Sequence, residues 1–139
     1  MLDWFLKNYH KHNNIEIQVI NFQEGLGWLE KPAAMRRASL LADKVCWLDT
    51  DCEVIGDISG IFDYTKPNKL TMTEDKPWSQ RRPGSTGQWH NSGVVAFEHT
   101  PSILVDWELT CAIQGGVGDQ EVLHSMITNP IQRMTKIED

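Results

Sequence analysis

Asp49 and Asp51 stand two positions apart at the end of an apolar run, Val45-Cys46-Trp47-Leu48. Such a run suits a strand covered on both faces, as in a parallel sheet flanked by helices. In open α/β sheets, ligands bind beyond the carboxyl ends of the strands. Residues i and i+2 of an extended segment point the same way, so the two carboxylates can converge on one object. Converging carboxylates repel unless a positive charge lies between them. A hard cation, Mg²⁺ or Mn²⁺, suits oxygen ligands and takes waters and phosphate oxygens in its remaining positions. On spacing alone, a solvated acidic turn is an equal reading, because Asp-x-Asp is a short pattern.

Other polar residues stand at element boundaries. Asn91-Ser92 precedes a second apolar run, Val94 to Phe97, and Asp119-Gln120 opens a helical pattern. A diphosphate-bearing donor needs a cation for its charge, and its sugar hydroxyls need amide and carboxylate partners such as Asn91, Asp119 and Gln120. Lys31 precedes Pro32 at another helix start. A cation there opposes the helix dipole, so it either serves an anionic ligand or is a solvated lysine. Arg81 and Arg82 are read as phosphate ligands or as surface charges. Trp28, Trp78 and Trp89 can stack on a sugar or base, or anchor loops; Trp47 and Trp107 are read as core.

The elements that must position these groups follow from periodicity. Leu2, Phe5, Leu6 and Tyr9 mark one helical face. Ile15 to Phe22 alternates in part and reads as a strand, followed by a loop over 23–30. Lys31-Pro32 opens a helix to about Ala42, with Ala34, Met35, Ala38 and Leu41 inward. A helical turn spans Asp57 to Tyr64, with Ile58, Ile61 and Phe62 inward. A half-buried strand spans Leu70 to Thr73. Residues 76–90 form a long irregular loop. Thr100-Pro101 reads as cap and first turn of a helix whose inner face is Ile103, Leu104, Trp107 and Cys111. The last helix buries Val122, Leu123, Met126 and Ile127 and closes at Pro130, and Ile131 to Ile137 reads as an edge strand.

A length of 139 residues favours one domain, and 40% hydrophobic with 23% charged residues suits a globular core. A net charge of −6 argues against a nucleic-acid partner, which requires a basic surface. The cysteines, Cys46, Cys52 and Cys111, form neither a disulfide framework nor a zinc set, so a reduced, cytoplasmic location is expected. No apolar stretch is long enough to span a membrane.

The ordered set Lys31-Pro32, Trp-Leu-Asp-Thr-Asp-Cys (47–52), Asn-Ser-Gly-Val-Val-Ala-Phe (91–97) and Gly-Asp-Gln-Glu-Val-Leu (118–123) resembles GT-A-type glycosyltransferases. It is most similar to the glycogenin-like, family 8-like group that uses nucleoside-diphosphate sugars. The resemblance implies a mostly parallel or mixed central sheet flanked by helices, and metal-dependent transfer of a sugar from such a donor, UDP-linked by expectation, to an acceptor hydroxyl. Asp49 and Asp51 match the metal pair for Mn²⁺ or Mg²⁺. Lys31 and Ser92 match donor-binding positions. Asn91, Asp119 and Gln120 match positions facing the reacting sugar.

Such enzymes normally begin with a strand that holds the nucleotide base and continue past the last strand, often to a histidine ligand. The chain is therefore expected to form a single domain over 1–139, whole or partial, that lacks the first nucleotide-binding strand; an oligomeric partner is one way to complete it. Two alternatives stay open. One is an inactive or binding-only sugar-nucleotide-binding fragment. The other, lesser one is a haloacid-dehalogenase-type phosphatase with Asp49 as nucleophile, although that pattern wants Thr where Glu53 stands.

Overall fold

Residues 1–22, 27–77, 89–114 and 117–128 are described by the structure, a computed structural model. The expected edge strand over 131–137, most of the loop over 76–90 with Trp78, Arg81 and Arg82, and the helix stop at Pro130 lie outside the described residues.

Helix α1 (Leu2–His12) buries Phe5 and Tyr9. A 3-10 turn at Gly27–Glu30 leads directly into α2 (Lys31–Ser39). Strand β1 (Lys44–Leu48) follows, then a 3-10 turn at Ser59–Tyr64 and β2 (Thr71–Glu74). Strand β3 (His90–Glu98) precedes α3 (Ser102–Ile113) and α4 (Asp119–Thr128).

The three strands form one sheet in the order β1-β3-β2, and both pairings are antiparallel. The expectation of a mostly parallel or mixed sheet is thus corrected: the described residues form a small α/β domain with an antiparallel sheet. An unbroken apolar run reports coverage of both faces, not strand direction, and coverage is what β1 has. Val45 and Trp47 pack on the main core, which gathers Met35, Val95, Phe97, Leu104, Trp107, Leu123 and Met126 under α2, α3 and α4. Leu48 turns to the opposite face, where Phe5, Tyr9 and Val54 form a second cluster under α1.

Ile15 to Phe22 joins no ladder, so the expected strand is absent among the described residues. Alternation is a property of the segment alone; a strand also requires an edge to pair with. Helix α2 stops at Ser39, short of the expected Ala42, and Leu41 is exposed rather than inward. The cap of α3 also differs. Pro101, not Thr100, holds the N-cap position. Asn68, in the left-handed region at φ 57°, accepts from the Ser102 N–H at 2.7 Å. Thr100 instead bonds Ser39.

Candidate functional site

Lys31 is the first residue of α2, and its side chain is 1% exposed. A buried ammonium is costly unless paired and hydrogen-bonded. Lys31 Nζ donates to Asp49 Oδ2 at 3.1 Å, to the Ser92 carbonyl at 3.2 Å and to Ser92 Oγ at 3.3 Å. It also lies 3.3 Å from Asp119 Oδ2 without hydrogen-bond alignment, so that buried oxygen has no hydrogen-bond donor among the described residues. The Trp28 and Trp47 rings lie 5.4 and 5.8 Å from Nζ, within cation–π range. The solvated-lysine reading is therefore corrected. One formal positive charge faces two formal negatives, which leaves the cluster with an excess of negative charge.

Asp49 follows the last residue of β1. Its N–H bonds the Gly93 carbonyl at 2.8 Å, extending the ladder by one residue. Its other carboxylate oxygen accepts from the Trp47 indole at 2.5 Å. The chain then turns, with the Cys52 N–H bonding the Asp49 carbonyl at 3.1 Å. The backbone turns at 50–51 instead of continuing extended, so the expected alternation does not bring Asp49 and Asp51 to one side. Asp51 is exposed and, among the described residues, has no hydrogen bond or ion pair.

A bulge in β3 shapes the opposite wall. Met72 faces Val95, yet the next residue, Thr73, faces Asn91, so Ser92, Gly93 and Val94 have no counterpart on β2. Bulges bend a strand and re-aim side chains, and they recur beside functional sites. This one presents Ser92 to Lys31. Asn91 Oδ1 accepts from the Gly93 N–H at 2.8 Å. Gly93 lets Asn91 approach closely: a Cβ there would stand 2.9 Å from Asn91 Oδ1, which would have to shift, and 3.5 Å from Asp49 Oδ2.

Helix α4 supplies the remaining wall. Gln120 Oε1 accepts from the Ser92 N–H at 3.1 Å, and its amide donates to Asp75 Oδ2 at 2.9 Å. Asn91 donates to the same Asp75 oxygen at 3.2 Å. Trp107 Nε1 donates to the Asp119 carbonyl at 2.9 Å, which ties the start of α4 to the core.

Lys31, Asp49, Asn91, Ser92 and Gln120 thus join through hydrogen bonds, with Asp75 between the two amides, and Asp119 joins them through its ion pair with Lys31; Asp51 stands apart. Asp75 is a hub that reading the sequence missed. Its only signal is an acidic residue just beyond a strand, the same signal that singled out Asp49. Trp89 is buried and stacks on His124 with ring centroids 3.7 Å apart, so it is not an open stacking platform. Trp28 is 58% exposed and retains that capacity.

Among the described residues, no three or more His, Cys, Asp or Glu side chains gather as a metal-ligand set. The donor chemistry nevertheless suits a hydrated divalent cation, since Mg²⁺ in phosphate sites uses one or two carboxylates plus substrate oxygens. Asp51 is an uncommitted carboxylate two positions from Asp49 in the chain. Among the described residues, no helix is long and apolar enough to cross a membrane. No protein-family model, curated protein or solved structure matches this chain.

Proposed function

We propose that the chain is a metal-dependent glycosyltransferase of the GT-A type. It takes a nucleoside-diphosphate sugar, UDP-linked, and moves the sugar to an acceptor hydroxyl. The observation that carries this reading is the single cluster joining Lys31, Asp49, Ser92, Asn91, Asp119 and Gln120, contributed by four separate elements. Lys31 offers positive charge to the diphosphate. Exposed Trp28, beside it, offers a face to the base or sugar. Asn91 and Gln120 orient sugar hydroxyls.

The reaction breaks the anomeric carbon–oxygen bond, and the electron pair leaves with the diphosphate. The acceptor oxygen bonds that carbon and its proton passes to Asp119 Oδ2, which has no hydrogen-bond donor among the described residues. Preorganised carboxylates also stabilise the cation-like sugar centre. Asp51, with Asp49, would hold Mn²⁺ or Mg²⁺, which supplies charge neutralisation for the departing diphosphate.

Binding without turnover is the second reading. It is favoured by the engagement of Asp49 and Asp119 by one lysine and of Asp75 by both amides. Calorimetric titration of UDP-sugars, with and without Mn²⁺, tests the assignment, and donor hydrolysis separates the two readings. Metal-dependent heat with release of free sugar supports the transferase. Heat without release supports binding alone. No heat with any nucleotide sugar sinks both.

A further inference from the structure

A groove of about 670 Å³ runs beside β1 on the side away from β3. One wall is β1, one of the two edge strands of the sheet. The other wall is the stretch 15–22. The hydrogen-bond phase of β1 is set by its flanks: Asp49 N–H bonds Gly93 C=O, and His99 N–H bonds Asp43 C=O. In an antiparallel pair, bonded and non-bonded residue pairs alternate. Residues 43, 45, 47 and 49 therefore exchange bonds with β3, while the peptide groups of Lys44, Cys46 and Leu48 face the open edge. All three of those residues line the groove. On the far wall, among the described residues, no backbone-to-backbone bond involves residues 15–22.

The size suits a small apolar ligand as well as a strand. The peptide groups decide between them. An apolar ligand would bury donors and acceptors without partners, an unfavourable arrangement. An added strand satisfies them, as in recognition by β-augmentation. The side chains of such a strand would alternate between the two faces of the sheet. Met35 and Ala38 of α2 line the groove, as do Phe5 and Tyr9 of α1, and these helices cover opposite faces. Both faces of the incoming strand would therefore meet apolar surface.

We propose that this groove takes an extended segment of a partner polypeptide, an unbroken apolar run of about five residues, as a further strand beside β1. Five residues match the length of β1 and span about 17 Å. Asp49, Trp28 and Trp47 line this groove and also surround Lys31, so peptide binding is measured without nucleotide or metal, where it succeeds or fails independently of donor binding.

The test is selection on the full chain from displayed ten-residue peptides, one library with five central apolar positions and one with polar positions there. The apolar library is expected to enrich binders, and the best of them to slow hydrogen exchange at Cys46 and Leu48. N-methylating alternate amides of that peptide removes ladder donors and should weaken binding about tenfold or more, the scale of a lost hydrogen bond. Cys46→Pro removes one outward N–H without touching the β3 ladder and should weaken binding similarly, whereas Cys46→Val should not. The N-methyl arm needs no variant and stands if Cys46→Pro fails to fold. Equal enrichment from both libraries, no enrichment, or binding that survives N-methylation overturns the proposal. So does exchange protection that appears without peptide and tracks a dimer by light scattering, which assigns the groove to a second copy.

Discussion

Lys31 Nζ stands 3.1 Å from the Asp49 carboxylate and 3.3 Å from that of Asp119, and so links the end of β1 to the start of α4 through the start of α2. Removing the lysine leaves the buried Asp119 carboxylate and the half-buried Asp49 carboxylate without their shared cation. Loss of one partner from a buried pair typically costs about 3–5 kcal/mol. Lys31→Met should therefore lower the unfolding free energy by that order in urea titration. The triple variant Lys31→Met, Asp49→Asn, Asp119→Asn should recover a large part of it. A single variant as stable as the wild type would mean that the cluster is not held by charge.

Asp51 offers the contrasting case, since it is exposed and free of partners among the described residues. Exposed substitutions away from special features usually change stability by less than about 0.5 kcal/mol. Asp51→Ala should leave the urea midpoint in place while abolishing Mn²⁺-dependent heat on titration with UDP. Unchanged heat would remove Asp51 from the metal site and leave the diphosphate to Lys31.

Gly93 tests the site from the backbone side. The added Cβ of Gly93→Ala meets the end of the Asn91 side chain at 2.9 Å, and that end can swing away. The fold should lose about 1 kcal/mol, the scale of one hydrogen bond, because Asn91 then gives up its bond to the residue 93 N–H. Donor affinity should fall by more than stability does, because Asn91 and Asp49 both border the substitution. Equal losses in calorimetry and denaturation would make Asn91 purely structural.

These three residues also show what the sequence made legible. The inner faces of α3 and α4 follow from helical spacing, because Leu104, Trp107, Cys111, Val122, Leu123 and Met126 recur at that period and are buried. The grouping of Asp49, Asn91 and Asp119 follows from a simpler regularity, polar residues at the ends of apolar elements. Burial of Lys31 was not legible, because it depends on three elements closing over one atom. The direction of β1 was not legible either, since a run apolar on both faces is compatible with either direction. The role of Asn68 as a cap for α3, 34 positions away, leaves no local trace.

The thiols give a pH dependence with a definite sign. Burial pushes Cys46 and Cys111 up from 9.0 to about 12. Below pH 9 both are neutral whether folded or unfolded, and the contribution is fully present. Between about 9 and 12 the unfolded chain ionises its thiols while the folded chain does not, so stability falls as pH rises. Urea midpoints should drop from pH 8 to pH 10.5 in the wild type and drop less in a Cys46→Ala, Cys111→Ala double variant. At pH 8, a thiol reagent should react with Cys52 before either of the other two, since Cys52 is raised less far. Parallel midpoint curves for the two proteins would show that other groups set the alkaline limit.

Trp107 connects the core to the site. It is fully buried, and its indole N–H donates to the Asp119 carbonyl at 2.9 Å. Trp107→Ala removes core volume and should cost about 3–5 kcal/mol. Trp107→Phe keeps most of the volume and leaves a buried carbonyl short of its donor, which costs about 1–3 kcal/mol. The Phe variant is the informative one. The bond it deletes holds the residue that opens α4, and Asp119 and Gln120 project from that turn. The variant should fold cooperatively with a lower urea midpoint, and its sugar-nucleotide turnover should fall further than its donor affinity. Turnover and affinity falling in the same proportion would mean that the indole positions nothing beyond the core.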